Sequence, residues 1–172
     1  MDKGYVHLYT GDGKGKTTAA FGLALRAAMS GKKVYIGQFV KDMEYNETKI
    51  KDIVDNIDIE QLGRGCFIFE DPAEEDKEAA REGLRKCTDV LKSGEYDMVI
   101  LDELTIALYF KLFDVEDIIE AIRNRDEKVE VVITGRYAPK ELYDLADLVT
   151  EMKEVKHYYS TKGLLARDGI ER

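Results

Sequence analysis

One segment constrains this chain more than any other. Thr10-Gly11-Asp12-Gly13-Lys14-Gly15-Lys16-Thr17-Thr18 lies between the apolar stretch Tyr5 to Tyr9 and a run of small apolar residues extending to about Met29. A glycine-rich turn between a strand and a helix is where a phosphate-binding loop belongs. Glycines let backbone N–H groups approach phosphate oxygens, and the helix N-terminus adds positive potential. Lys16 supplies a mobile cation, and Thr17 a hydroxyl able to ligate Mg²⁺. Thr10 stands where the pattern G-x-x-x-x-G-K-[ST] has its first glycine, so a compact Gly-x-Gly-x-Gly-Lys-Thr form replaces it. A dinucleotide fingerprint is excluded, because its third glycine would fall on Lys16. Gly11, Asp12, Gly13, Lys14, Gly15, Lys16, Thr17 and Thr18 therefore read as a nucleotide-phosphate-binding loop.

The rest of the chain alternates strand and helix. Strand patterns fall at Val34 to Val40, Ile57 to Leu62, Met98 to Leu101, Val129 to Thr134 and Leu148 to Met152. A short helix is expected from Thr48 to Val54. A longer one follows Asp71, read as its N-cap with Pro72 at the first helical position and Ala80, Leu84, Cys87 and Leu91 as its buried stripe. Asp114 caps a helix striped by Val115, Ile118, Ile119 and Ile122, and Pro139 opens another. This alternation implies an α/β fold, a mostly parallel sheet with helices on both faces. No linker or repeat interrupts it, so residues 1–172 read as a single P-loop NTPase-like (RecA-like) domain.

A second half of the site is expected on a neighbouring strand. Met98-Val99-Ile100-Leu101-Asp102-Glu103 is an apolar strand ending in two acids, a Walker-B-like segment. Asp102 and Glu103 would join Thr17 in holding Mg²⁺, directly or through water. Thr134-Gly135-Arg136 ends another strand, which lets Arg136 reach a phosphate or form a surface salt bridge. His7, flanked by apolar residues in the first strand, reads as a packed, hydrogen-bonded histidine. No Ser/His/Asp arrangement and no water-positioning glutamine stands out by spacing.

Composition removes the large partners. With 26 Lys+Arg against 35 Asp+Glu, the net charge of −9 argues against nucleic acid and anionic membranes. No apolar run approaches the ~20 residues that span a bilayer, and no signal peptide is visible, so the expected setting is the cytoplasm. Cys66 and Cys87 lack C-x-x-C spacing and read as buried thiols.

Gly11-Asp-Gly-Lys-Gly-Lys-Thr-Thr-Ala-Ala-Phe-Gly22, Gln38-Phe-Val-Lys41, Leu101-Asp-Glu-Leu-Thr105, Ile133-Thr-Gly-Arg136, Leu145-Ala-Asp147, Val155-Lys-His157 and Gly163-Leu-Leu-Ala-Arg-Asp-Gly-Ile-Glu171 occur in order. Together they resemble the P-loop class of ATP:corrinoid adenosyltransferase, the cob(I)alamin adenosyltransferase family, over nearly the whole chain. The resemblance implies that the Co(I) centre of a reduced corrinoid attacks C5′ of ATP and inorganic triphosphate leaves. Co(I) is already a strong nucleophile, which suits a site with no evident base. It also implies a triphosphate lying in the loop in the reverse of the ordinary sense, a homodimer, and an external reductase or reduced flavoprotein.

In that family, aromatic residues displace the corrinoid's lower ligand and leave a four-coordinate cobalt that is easier to reduce. Phe67 matches the family's phenylalanine, and Phe69 stands where a tryptophan is common. Alternating Phe67 and Phe69 are also the pattern of one face of a core strand. Two other functions use the same loop. A small-molecule kinase or NTPase would release ADP or phosphate, and a regulator would bind ATP without turnover. A thymidine-kinase-like member would need a zinc cysteine cluster that two separated cysteines cannot form.

Overall fold

The computed structural model describes residues 2–40, 45–63 and 72–171. Its strands are β1 (Val6–Thr10), β2 (Val34–Phe39), β3 (Ile57–Leu62), β4 (Met98–Asp102), β5 (Glu130–Thr134) and β6 (Leu148–Glu151). They form one six-stranded sheet, ordered β3-β2-β4-β5-β1-β6, and every neighbouring pair is parallel. β5 thus separates β1, which feeds the glycine-rich loop, from β4, which ends in Asp102. This arrangement is consistent with the expected P-loop NTPase-like fold.

The helices are α1 (Lys16–Met29), α2 (Glu74–Ser93), α3 (Leu104–Tyr109), α4 (Val115–Arg123), α5 (Lys140–Leu145) and α6 (Tyr158–Lys162). A 3-10 helix at Asn46–Asp52 takes the place of the short helix expected from Thr48 to Val54. Helices cover both faces, unevenly. On one face α1 packs Ala20, Phe21, Ala24 and Ala28 against Val34, Ile36, Met98, Ile100 and Val132. Its small side chains bring the helix axis close to the sheet. On the other face Leu84, Cys87 and Leu91 of α2, Leu104 of α3, Ile118 and Ile122 of α4 and Leu142 of α5 cover Leu8, Val99, Leu101, Val131 and Ile133. Alternate residues of β4 thus serve opposite faces, which is why the strand shows no polar alternation.

Two local expectations change. α2 begins at Glu74 with Ala73 as N-cap, whose N–H donates to the Asp76 carboxylate at 3.1 Å. Asp76 therefore supplies the cap from inside the helix, and Pro72 lies ahead of the first turn rather than in it; Asp71 lies outside the described residues. α3 was not anticipated. It follows β4 after a single residue, too soon for helical periodicity to emerge from the apolar run.

His7 is held as expected, with Nε2 2.6 Å from Glu130 Oε1 and Nδ1 3.3 Å from the Tyr9 hydroxyl. Among the described residues no helix is long and apolar enough to cross a membrane. Cys87 is a free, fully buried thiol, and burial pushes it up to about 12. Thiolate is the reactive form, so Cys87 should escape iodoacetamide at pH 8 in the folded protein and react once urea unfolds it. Peptide mass mapping reads the result, and alkylation of Cys87 in the native state would contradict its burial.

Candidate active site at the phosphate loop

The α1-facing row of three adjacent strands ends in a polar residue: Gln38 after Val34 and Ile36, Asp102 after Met98 and Ile100, and Thr134 after Val132. All three are buried completely. β2 and β4 place Gln38 directly opposite Asp102, and β4 and β5 pair Leu101 with Ile133 one step earlier. A buried carboxylate needs hydrogen-bond donors, and these neighbours provide them. Asp102 Oδ1 accepts from the Thr17 hydroxyl at 2.9 Å and the Thr134 hydroxyl at 2.7 Å, while Oδ2 accepts from Gln38 Nε2 at 3.1 Å. Asp102 thereby ties three strands to the first turn of α1. Among the described residues, the other arm of the Gln38 amide, Oε1, is buried without a hydrogen-bond partner.

Glu103 follows in a left-handed conformation, φ 59°, and its N–H donates to Thr134 Oγ1 at 3.0 Å. That backbone costs about 1–3 kcal/mol in a non-glycine residue. It turns the chain from β4 into α3 and sends the two acids different ways. Asp102 is held inside, whereas Glu103 lines the cleft over the loop.

α1 is unlike the chain's other long helices at its N-terminus. Glu74, Glu75 and Asp76 occupy the first turn of α2, and Glu116 and Asp117 that of α4. α1 has no acidic residue in its first turn and no side-chain cap, only Gly15 at the N-cap with φ 118°. The positive end of the helix dipole is therefore left for an anion from outside the helix. Lys16 is 8% exposed, and its Nζ donates to the carbonyls of Gly11 and Gly13, each at 2.8 Å. Burial pushes this ammonium below the ordinary lysine range, and the Glu103 carboxylate opposes that shift. Lys14 to Thr18 form one wall of a cleft of about 480 Å³.

The glycines at 11 and 13 answer to a neighbour that sequence reasoning missed. A Cβ on Gly11 would lie 2.4 Å from the carbonyl oxygen of Met152, and one on Gly13 would lie 2.7 Å from it. The Gly13 N–H donates to that same oxygen at 2.6 Å, and the Met152 N–H donates to Thr10 O at 2.8 Å. The loop is thus packed against the end of β6, and the Gly13 amide points there rather than towards a ligand. Nothing in a lone Met152 signals this; the signal lies in two glycines spaced to face one strand end.

Arg136 does reach the loop, through a salt bridge. Its Nε and Nη2 donate to Asp12 Oδ1 at 3.1 and 2.9 Å. The structure therefore brings together the whole loop, Thr17, Asp102, Glu103 and Arg136. Phe67 and Phe69 lie outside the described residues, as does Cys66. Sequence reasoning also assigned no role to Gln38 or Thr134, although a polar residue closing an apolar alternating row is a readable sign of one.

Residues 2–172 match the family model described as ATP:corrinoid adenosyltransferase BtuR/CobO/CobP. The corrinoid adenosyltransferase of Escherichia coli strain K12 is 35% identical over 170 residues, covering 99% of this chain and 86% of that protein. The corrinoid adenosyltransferase CobA of Salmonella typhimurium is 36% identical over 175 residues, with the same coverage of 99% and 86%. That of a Sinorhizobium species is 33% identical and covers 99% of this chain and 81% of its own length.

The hydrogen bonds at Asp102 make a differential prediction. Asp102→Ala leaves the donors of Thr17, Thr134 and Gln38 without their acceptor and should cost about 3 kcal/mol. Asp102→Asn should cost only about 1 kcal/mol, because the Gln38 amide can turn over and offer its unpartnered oxygen to the new N–H. Urea unfolding of the two variants measures the difference, and equal losses would contradict the arrangement.

Proposed function

Because this chain belongs to the ATP:corrinoid adenosyltransferase family, we infer that its own phosphate loop holds ATP for transfer of the 5′-deoxyadenosyl group to the cobalt of a reduced corrinoid. Triphosphate is the leaving group. The observation that carries this reading to particular residues is the first turn of α1, uncapped, free of acids and followed inward by a buried lysine. Such a site suits a polyphosphate chain better than any neutral ligand. Phosphoryl transfer on the same loop is not favoured by the family.

In this reading the Co–C5′ bond forms as the C5′–O5′ bond breaks, and the electron pair of that bond departs with triphosphate. Co(I) carries no proton to be removed, so no side chain has to act as base. The protein's task is to position C5′ and to stabilise charge gathering on the leaving oxygens. Lys16, drawn from the Gly11 and Gly13 carbonyls to the phosphate oxygens, provides the nearest full charge. The amides at the start of α1 add partial charges, and Lys14 and Arg136 act at the loop's rim.

Mg²⁺ fits the oxygen donors present. Thr17 Oγ1 and Asp102 Oδ1 stand 2.9 Å apart. Two adjacent ligands of an octahedral Mg²⁺, each at about 2.1 Å, stand about 3 Å apart. Among the described residues there is no cluster of three or more His, Cys, Asp or Glu to cage a metal. A cation held by one or two carboxylates, a hydroxyl and substrate phosphates is the usual form for Mg²⁺. When bound, it would neutralise phosphate charge, with Thr17, Asp102 and Glu103 as its protein donors. Phe67 and Phe69, which lie outside the described residues, take the family's role of displacing the corrinoid's lower ligand. The reading also includes a homodimer that encloses the corrinoid and a reductase or reduced flavoprotein that supplies the electron.

Purified protein given Mg-ATP, cob(II)alamin and a reductant strong enough to reach Co(I) should form adenosylcobalamin, followed by its visible spectrum. Lys16→Ala should lower the rate at least ~100-fold. With a reductant too weak to reduce free cob(II)alamin, Phe69→Ala should slow the reaction from Co(II) while leaving ATP affinity near normal. Release of ADP and phosphate without adenosylcobalamin would overturn the assignment, and an unchanged rate in Phe69→Ala would remove the aromatic role.

A further inference from the structure

The segment Gly163 to Glu171 folds back over the phosphate loop. Its last residues, Gly169, Ile170 and Glu171, line the same cleft as Lys14 to Thr18. Lys14 Nζ lies 2.7 Å from Glu171 Oε1 and 3.0 Å from the Tyr158 hydroxyl, which also bonds to Glu171. Arg167 holds the carboxylate from the other side, its backbone N–H 2.8 Å from Oε2 and its Nη2 3.2 Å from Oε1. The Arg167 guanidinium sits 5.0 Å over the Tyr158 ring. Across the cleft, Asn46 Nδ2 of the 3-10 helix donates to Asp168 Oδ1 at 2.7 Å. The segment therefore spans from the loop to the opposite wall.

The chemistry of this contact conflicts with anion binding. The Glu171 side chain is only 15% exposed and places a full negative charge on one of the loop's cations, in the wall of a cleft suited to polyphosphate. A carboxylate there lowers the affinity of any phosphate chain that needs Lys14, unless the carboxylate gives way. We propose that Glu171 competes with the polyphosphate chain for Lys14, so that residues 163–171 open as the chain binds and close again to favour release of triphosphate. This rests on the reading of the loop as the ATP site. A chain with several anionic oxygens outbids one carboxylate on entry. After transfer, the returning carboxylate weakens the hold on a product that would otherwise bind tightly through charge alone. Glu171 is in this sense an affinity-setting residue and not a catalytic one.

The test uses inorganic tripolyphosphate and ATP, titrated calorimetrically into the full chain with Mg²⁺ present. Glu171→Gln should bind tripolyphosphate roughly three- to tenfold more tightly than the unaltered protein. Glu116→Gln on α4 makes the same change in net charge far from the contact and should leave the affinity unchanged. In the unaltered protein, saturating tripolyphosphate should speed hydrogen exchange at the amides of Arg167, Ile170 and Glu171, which are hydrogen-bonded in the closed segment. Unchanged or weaker binding by Glu171→Gln, an equal gain in Glu116→Gln, or a segment that stays protected would each overturn the proposal. If the unaltered protein binds neither ATP nor tripolyphosphate, the loop assignment itself fails, and the proposal fails with it.

Discussion

The site depends on one buried carboxylate. Asp102 is fully removed from solvent at the end of β4, and a charge in that position is tolerated because donors from Thr17, Gln38 and Thr134 converge on it. Those donors belong to β2, β5 and the first turn of α1, so satisfying the charge also fixes where α1 begins relative to the sheet. Lys16 precedes Thr17 in that turn, and the position of its ammonium follows from the same contact. The left-handed backbone of Glu103 is a further consequence, since the chain must leave β4 at once while Asp102 stays turned inward. The strain is partly offset by the hydrogen bond from its N–H to Thr134.

Around that hub the loop divides its work. Gly11 and Gly13 admit the carbonyl of Met152 and anchor the loop to β6, whereas Gly15 opens α1 with its first amides uncapped. The carbonyls of Gly11 and Gly13 keep the buried Lys16 charge solvated by the protein itself. In the proposed reading, a polyphosphate chain replaces those two dipoles with formal negative charges, where leaving-group charge would accumulate. The same division explains why the loop tolerates Thr10 in place of a glycine. Thr10 is the last residue of β1, paired to Glu151, and its conformation is that of a strand.

Much of this was legible in the residues. The period-2 apolar rows of β4 and the small-residue composition of α1 specify a helix pressed on a doubly covered sheet, and Gly-x-Gly-Lys-Thr between β1 and α1 reads as an anion loop. What escaped has physical reasons. α3 has six residues, too few for a 3.6-residue period to separate from the strand before it. The cap of α2 moved because Asp76 reaches back to the Ala73 N–H, a choice that two nearby acids leave undetermined from sequence. The contacts of Met152 and Glu171 with the loop join residues about 140 to 160 positions apart, and such pairings follow from strand order rather than from local pattern. Thr17, Asp102 and Arg136, by contrast, were placed at one sheet edge from motif alone, and the structure gathers them there.

The central claim is that the loop holds the leaving group, not the group that is transferred. ATP labelled with ¹⁸O at the 5′ oxygen tests this directly, by mass analysis of the products after a single turnover with Co(I) corrinoid. Cleavage between C5′ and O5′ sends the label out with triphosphate, as expected here. Label retained by a nucleoside or nucleotide product would mean that a phosphorus–oxygen bond had broken instead, and the loop would then be an ordinary phosphoryl-transfer site.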